Sequence, residues 1–250
     1  MSILSKNNRD TLKKGRNFVG YLLANYPSEE KFFEILEKIS PLIDILEIGY
    51  PTLTSDLDGE TIKNANRKID INPTRNIQFW EKVRKKTKNP IWIMGYSKDL
   101  IETNFYLKLI ENKLIDGILI PDLTLKQQQE IKNIFKKNSV DLIYFLENNL
   151  INTSQKIFKE NSLIYFQLLD GKTGGNLDFN NKNINKCLKN KTSKNYIFGG
   201  FGIDSKEKAE KVIQIGFDGV VIGSILIKKI NESLKNLELF VQEVHEQIKK

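Results

Sequence analysis

Cysteine and histidine are almost missing from this chain of 250 residues: each occurs once, as Cys187 and His245. A lone cysteine excludes an internal disulfide framework and suits a reducing compartment. A lone histidine near the C-terminus argues against a histidine-based triad and against a multi-histidine metal site, so no metal centre is expected. No apolar run approaches the ~20 residues that a membrane span requires. The polar stretch from Met1 to Gly15 lacks the apolar core of a secretory signal. These absences lead us to expect a cytoplasmic protein, although one encoded and kept in a plastid stroma would read the same. Linkers rich in glycine, serine or proline are missing too, which predicts a single domain over residues 1–250.

What is present is ordinary in kind. Hydrophobic residues make up 40% and charged residues 28%, a balance that folds rather than stays disordered. The net charge of +8 is spread through segments such as Lys126–Lys137 and Lys182–Lys194, without a basic patch interleaved with aromatics. Net charge alone is weak evidence for nucleic acid. We read these segments as solvated faces and expect neither a nucleic-acid nor a membrane partner; anionic small molecules remain compatible.

Short apolar runs recur between turn residues: Phe18–Ala24, Ile43–Gly49, Ile91–Gly95, Gly117–Pro121, Asp141–Leu146, Leu163–Leu168, Tyr196–Gly199 and Gly219–Gly223. Their continuous apolarity suits strands buried on both faces of a parallel sheet. Helical patterns lie between them. Ser28 precedes Glu29-Glu30 and then Phe32, Ile35, Leu36 and Ile39, and Ser205 precedes Lys206–Ile215; both read as capped amphipathic helices. Lys126–Phe135 and Asn231–Gln247 follow the same pattern more weakly, and Ile225–Ile230 reads as helical directly after Ser224. Eight strands over 250 residues is about 31 residues per unit, the spacing of a (β/α)8 TIM barrel. An open doubly wound sheet is the competing layout, but Ala24-Asn25-Tyr26-Pro27 stands where its glycine-rich turn belongs. The expected fold is therefore α/β, one barrel with a short extra helix at the N-terminus.

Glu47 is the residue out of place. It is the lone carboxylate of an apolar run that ends at once in Gly49-Tyr50-Pro51, and Asp56-Leu57-Asp58-Gly59 follows closely. A buried strand seldom tolerates an ionisable group unless it is paired or reactive. One dry carboxyl and one wet one make an acid/base pair. The duller alternatives are a Glu47 tied to backbone amides and an Asp58 that caps a helix starting near Gly59.

Glycine-rich turns follow the late strands: Asp170–Gly175, Gly199-Gly200-Phe201-Gly202 and Ile222-Gly223-Ser224. Glycine lets backbone amides approach a phosphate, and a helix N-terminus adds a favourable dipole. Taken singly, Gly223-Ser224 reads as a capped tight turn and Gly171–Gly175 as a flexible loop. Together they match the phosphate site that barrels place after their last strands. The order of a P-loop is absent.

Glu47-Ile48-Gly49-Tyr50-Pro51, then Asp58-Gly59-Glu60-Thr61-Ile62, then Pro121-Asp122-Leu123, Tyr165, Thr173-Gly174, Gly200-Phe201-Gly202-Ile203 and Ile222-Gly223-Ser224 follow in one order. In that order and spacing the chain resembles the tryptophan synthase alpha chain family from Phe18 to about Ile230. The resemblance implies a lyase that splits indole-3-glycerol phosphate into indole and glyceraldehyde 3-phosphate. It implies Glu47 as acid and base, Asp58 as partner of the indole N–H, and Tyr165 and Phe201 in the substrate pocket. It further implies phosphate binding by Gly174, Gly202, Gly223 and Ser224, with Thr173 on a closing loop reaching Asp58. No cofactor is implied in this chain; pyridoxal phosphate would belong to a beta-chain partner in an alpha2beta2 complex. Tyr165 as a core aromatic and Phe201 as a loop anchor are the structural alternatives. The segment Thr52–Glu60 departs from the family pattern, with neither of its two prolines, and Thr124 replaces a third. Two further readings stay open: a stand-alone or altered-substrate phosphate lyase or isomerase, and a non-catalytic barrel that binds a phosphate metabolite or a partner.

Overall fold

The computed structural model describes residues 3–54, 57–153, 155–160, 162–169 and 177–250. Eight parallel strands close on themselves in sequence order. They are β1 (Asn17–Leu23), β2 (Ile45–Gly49), β3 (Ile91–Met94), β4 (Gly117–Leu119), β5 (Asp141–Leu146), β6 (Ser162–Gln167), β7 (Asn195–Gly200) and β8 (Gly219–Ile222). β8 returns to β1 with Val221 opposite Val19, which seals the cylinder. Each expected apolar run holds one of these strands, with ends shifted by no more than two residues.

Alternation along the strands sorts the core into two layers. Val19, Ile45, Trp92, Leu119, Ile143, Leu163, Phe198 and Val221 fill the barrel itself. Phe18, Leu22, Leu46, Ile48, Ile91 and Ile93 face outward, against the ring of helices. That is why the strands read as continuous apolar runs: both faces are dry. Helix Glu29–Ile39 shows the matching logic. Ser28 accepts a hydrogen bond from the Lys31 amide at 3.3 Å, and Phe32, Ile35, Leu36 and Ile39 are buried at helical spacing. Each such side chain contributes roughly 1.5–3 kcal/mol on burial. Ser205 caps helix Lys206–Gln214 in the same way.

The sequence pattern over Asn231–Gln247 is not one helix. Ser233 is fully extended (φ −173°, ψ 159°) and separates Ser224–Glu232 from Leu234–Lys249. Its hydroxyl accepts from the Asn236 amide at 3.1 Å and so starts the second helix. A serine inside an apolar period is easily read as helical filling; here its side chain replaces a missing backbone partner.

A short N-terminal helix, Lys6–Leu12, closes the bottom of the barrel. Asn8 is its key. The Asn8 Nδ2 donates to Asp141 Oδ2 at 2.9 Å and to the Asp116 carbonyl at 2.9 Å, and Asn8 Oδ1 accepts from Trp92 Nε1 at 2.9 Å. Arg84 pairs with Asp116 at 3.0 Å. With this end plugged, the opening lies where the strands' C-terminal ends are. Among the described residues, no helix is long and apolar enough to cross a membrane.

Candidate active site

The C-terminal mouth of the barrel holds a cleft of about 850 Å³, including its open rim. Glu47, Asp58, Tyr165, Phe201, Gly202, Gly223 and Ser224 all line it. Seven of the nine residues picked from sequence therefore meet in one place. The other two, Thr173 and Gly174, lie outside the described residues.

Glu47 sits on the inner face of β2, in register with Tyr21 on β1 and Trp92 on β3. It is 3% exposed, and no hydrogen bond reaches it among the described residues, so the reading of a carboxylate tied to backbone amides does not hold. Burial penalises its charged form, the nearby Asp58 adds repulsion, and together they push its pKa up to about 8. At neutral pH Glu47 is mostly a neutral acid that can donate a proton.

Asp58 lies just before helix Glu60–Asn66, but Gly59 occupies the N-cap position, without a side-chain cap. The helix-cap reading of Asp58 is thus corrected: the carboxylate is turned into the mouth, where it lines the cleft and is 5% exposed. Tyr96 lies beside it, and burial first and Asp58 second hold that phenol well above its usual pKa. The segment joining the two carboxyls is anchored at its start. The Thr52 amide donates to Asn66 Oδ1 at 3.0 Å, and Thr52 Oγ1 accepts from the Thr54 amide at 3.1 Å.

Three rings form one wall. Phe145 and Tyr165 meet edge to face at 5.7 Å, and Phe201 lies 5.9 Å from Phe145 and 6.0 Å from Tyr165. A flat aromatic ligand fits such a wall. Phe201 holds a left-handed backbone (φ 75°) and Gly202 follows at φ 80°. A non-glycine residue pays for that conformation with strain, which the ring contacts offset. Gly200 is required by the same wall, since a Cβ there would lie 2.1 Å from the Tyr165 ring.

Also lining the cleft, Gly223 is the N-cap of helix Ser224–Glu232 and Ser224 its first residue, so the expected serine cap is shifted by one. Packing does not demand glycine there: a Cβ at 223 would meet Tyr21 only at 3.6 Å, an ordinary contact. The bare backbone faces the cleft instead, at the positive end of a helix dipole.

Sequence reasoning missed Tyr21, Met94, Leu119, Phe145, Asp204, Ile225 and Lys228, which also line the cleft. Tyr21 carried a signal: it is two residues beyond inward-facing Val19, near the end of β1, and Gly49, two residues beyond its register partner Glu47, leaves room for its hydroxyl. Burial first, then Asp58 and Glu47, keeps this phenol neutral. Lys228 carried no signal, being one lysine among many.

A model of the tryptophan synthase alpha chain family matches residues 8–250. The chain belongs to the tryptophan synthase alpha chain family. The alpha chain of Caldicellulosiruptor bescii is 30% identical over 244 residues, covering 95% of this chain and 94% of the relative. That of Prochlorococcus marinus is 29% identical and covers 92% and 87%. Among solved structures, Mycobacterium tuberculosis tryptophan synthase superposes with a TM-score of 0.82 at 19% identity, covering 100% of this chain and 99% of that one. The Pyrococcus furiosus tryptophan synthase complex gives 0.75 at 21% identity, covering 92% and 98%. These two show the shared barrel. The family's reaction, cleavage of indole-3-glycerol phosphate, is a carbon–carbon lyase step of tryptophan biosynthesis, and this chain is a lyase of that type. The family's alpha chain needs no cofactor of its own, and its solved neighbours include tryptophan synthase complexes.

Proposed function

We propose that Glu47 moves both protons of the retro-aldol cleavage and that Asp58 holds the indole nitrogen. The neutral Glu47 acid donates to indole C3, and the ring becomes a positively charged indolenine. Asp58 accepts the ring N–H and stabilises that charge. The Glu47 carboxylate then takes the side-chain hydroxyl proton. The carbon–carbon bond breaks, its electron pair returns to the ring, and indole and glyceraldehyde 3-phosphate result. Glu47 ends protonated, as it began. Tyr165 and Phe201 flank the indole, and the backbone at Gly202, Gly223 and Ser224 receives the phosphate. The resemblance gives Gly174 a share in phosphate binding and has Thr173 reach Asp58; both lie outside the described residues.

The observation that carries this reading is the meeting of Glu47 and Asp58 in one cleft that also takes in a bare helix N-terminus. Indole release from indole-3-glycerol phosphate by the purified chain tests it. Glu47→Gln should lower kcat by about 10²–10⁴-fold, the usual worth of a positioned acid/base, and Asp58→Asn should lower it too. Turnover indifferent to both substitutions would remove the assigned mechanism.

The partner is a beta chain carrying pyridoxal phosphate. Its docking face is the rim beside the cleft, where Leu53 is 77% exposed and Leu57, Pro121, Leu123 and Leu150 line an adjoining groove. An exposed leucine beside an apolar-lined groove suits a protein–protein contact.

A further inference from the structure

The charged residues among the described lining of the cleft are Glu47, Asp58, Asp204 and Lys228. Three carboxyl groups and one ammonium group make a poor electrostatic match to a phosphorylated ligand unless the charges are distributed. The structure distributes them. Asp204 is engaged by Lys208 at 2.7 Å, and burial leaves Glu47 mostly neutral at pH 7. Lys228 has no ion-pair partner among the described residues, whereas its neighbour Lys229 is turned away to Glu232 at 2.8 Å.

Its place on the helix decides where that free charge can act. Ser224–Glu232 is a nine-residue helix, and Lys228 stands four positions after Ser224. Residues four apart share a face, and helical side chains lean toward the N-terminus. A lysine stem at this position can reach back along the helix toward Gly223 and Ser224, and Lys228 lines the same cleft as they do. Backbone amides and a helix dipole supply directional donors and a partial charge; they do not neutralise a dianion.

We propose that Lys228 is the cation of the phosphate subsite, folding back over Ser224 to neutralise the phosphate held at Gly202, Gly223 and Ser224. This rests on the proposed reading of the cleft and assigns the charge selectivity of that site. Lys228 favours a phosphorylated substrate over its dephosphorylated counterpart, and it offsets the repulsion between phosphate and Asp58.

The test uses the full-length chain with Lys228→Ala, Lys228→Glu and Lys228→Arg, and Lys229→Ala as a control with equal charge change. Inorganic phosphate is titrated calorimetrically, and KM and kcat are measured with indole-3-glycerol phosphate at two salt concentrations. Lys228→Ala should raise the phosphate Kd and the KM about tenfold, the scale of one charge-assisted contact, with kcat nearly unchanged. Lys228→Glu should raise them further, Lys228→Arg should restore them, and the salt dependence of KM should weaken in Lys228→Ala. Lys229→Ala should stay near wild type. The proposal is overturned if Kd and KM are unmoved in Lys228→Ala and Lys228→Glu, or if Lys229→Ala matches Lys228→Ala. Phosphate binding needs no turnover, so the two readings fail separately. A wild-type chain that does not cleave the substrate but binds phosphate through Lys228 loses the lyase mechanism alone. Normal cleavage with no Lys228 effect loses this assignment alone.

Discussion

Glu47 is a carboxyl group placed where water cannot stabilise its charge, and its pH behaviour follows from that. Its folded pKa of about 8 exceeds the ordinary value of 4.5. The native state therefore keeps a proton that the unfolded chain releases, and stability falls as pH rises from about 4.5 to about 8. Glu47→Gln, which cannot ionise, should be more stable than wild type by a few kcal/mol at pH 8 and equal to it near pH 4, as chemical denaturation would show. On the proposed mechanism, the wild-type kcat/KM should fall as pH passes about 8, because the neutral acid that donates to C3 is lost. Two glycines separate function from packing at the same scale. A Cβ at Gly219 would lie 2.6 Å from the Asn17 carbonyl, while one at Gly223 would clash with nothing. Gly219→Ala should lower the unfolding midpoint. Gly223→Ala should leave that midpoint near wild type and raise KM, because the methyl group would enter the space proposed for the phosphate.

Elements carried most of what could be read in advance. The strands were visible because both faces of each are buried, and the helices at 29–39 and 206–214 because serine caps precede an apolar stripe. The break at Ser233 was not visible, since a cap inside a helical period looks like part of it. Nor was the work of the N-terminal helix. Its polarity hid a docked element that buries Asn8, Thr11 and Leu12. Asn8→Ala would strand Trp92 Nε1 and remove a donor from Asp141, costing about 2–4 kcal/mol by the desolvation of unpaired groups. Its kcat/KM at a temperature where both variants are folded should match wild type, because this plug closes the end of the barrel opposite the cleft.

At the scale of the whole molecule, closure of the sheet is what makes a site. Glu47 and Tyr165 lie on β2 and β6, and Gly223 stands at the end of β8, yet one cleft receives all three. The same closure leaves Leu53 and the groove beside it on the outer rim. Leu53→Asp should abolish co-elution with a tryptophan synthase beta chain in size-exclusion chromatography. The same variant should leave the indole release of the isolated chain unchanged, since Leu53 does not line the cleft.

By itself the sequence determined the eight strands, the barrel order and seven of the residues that line the cleft, because burial on both faces and turn chemistry are written locally in residue type. It left undecided whether Glu47 was tied to amides and whether Asp58 was a cap. Those outcomes depend on partners more than ten residues away or on a shift of one position at a helix start. Tertiary structure decided them: it gave Glu47 no hydrogen-bond partner among the described residues, put Gly59 at the cap, and brought Tyr21, Tyr96 and Lys228 to the mouth from separate units. The physical reason is that a pKa or a charge balance is a property of surroundings, and surroundings exist only once the barrel has closed.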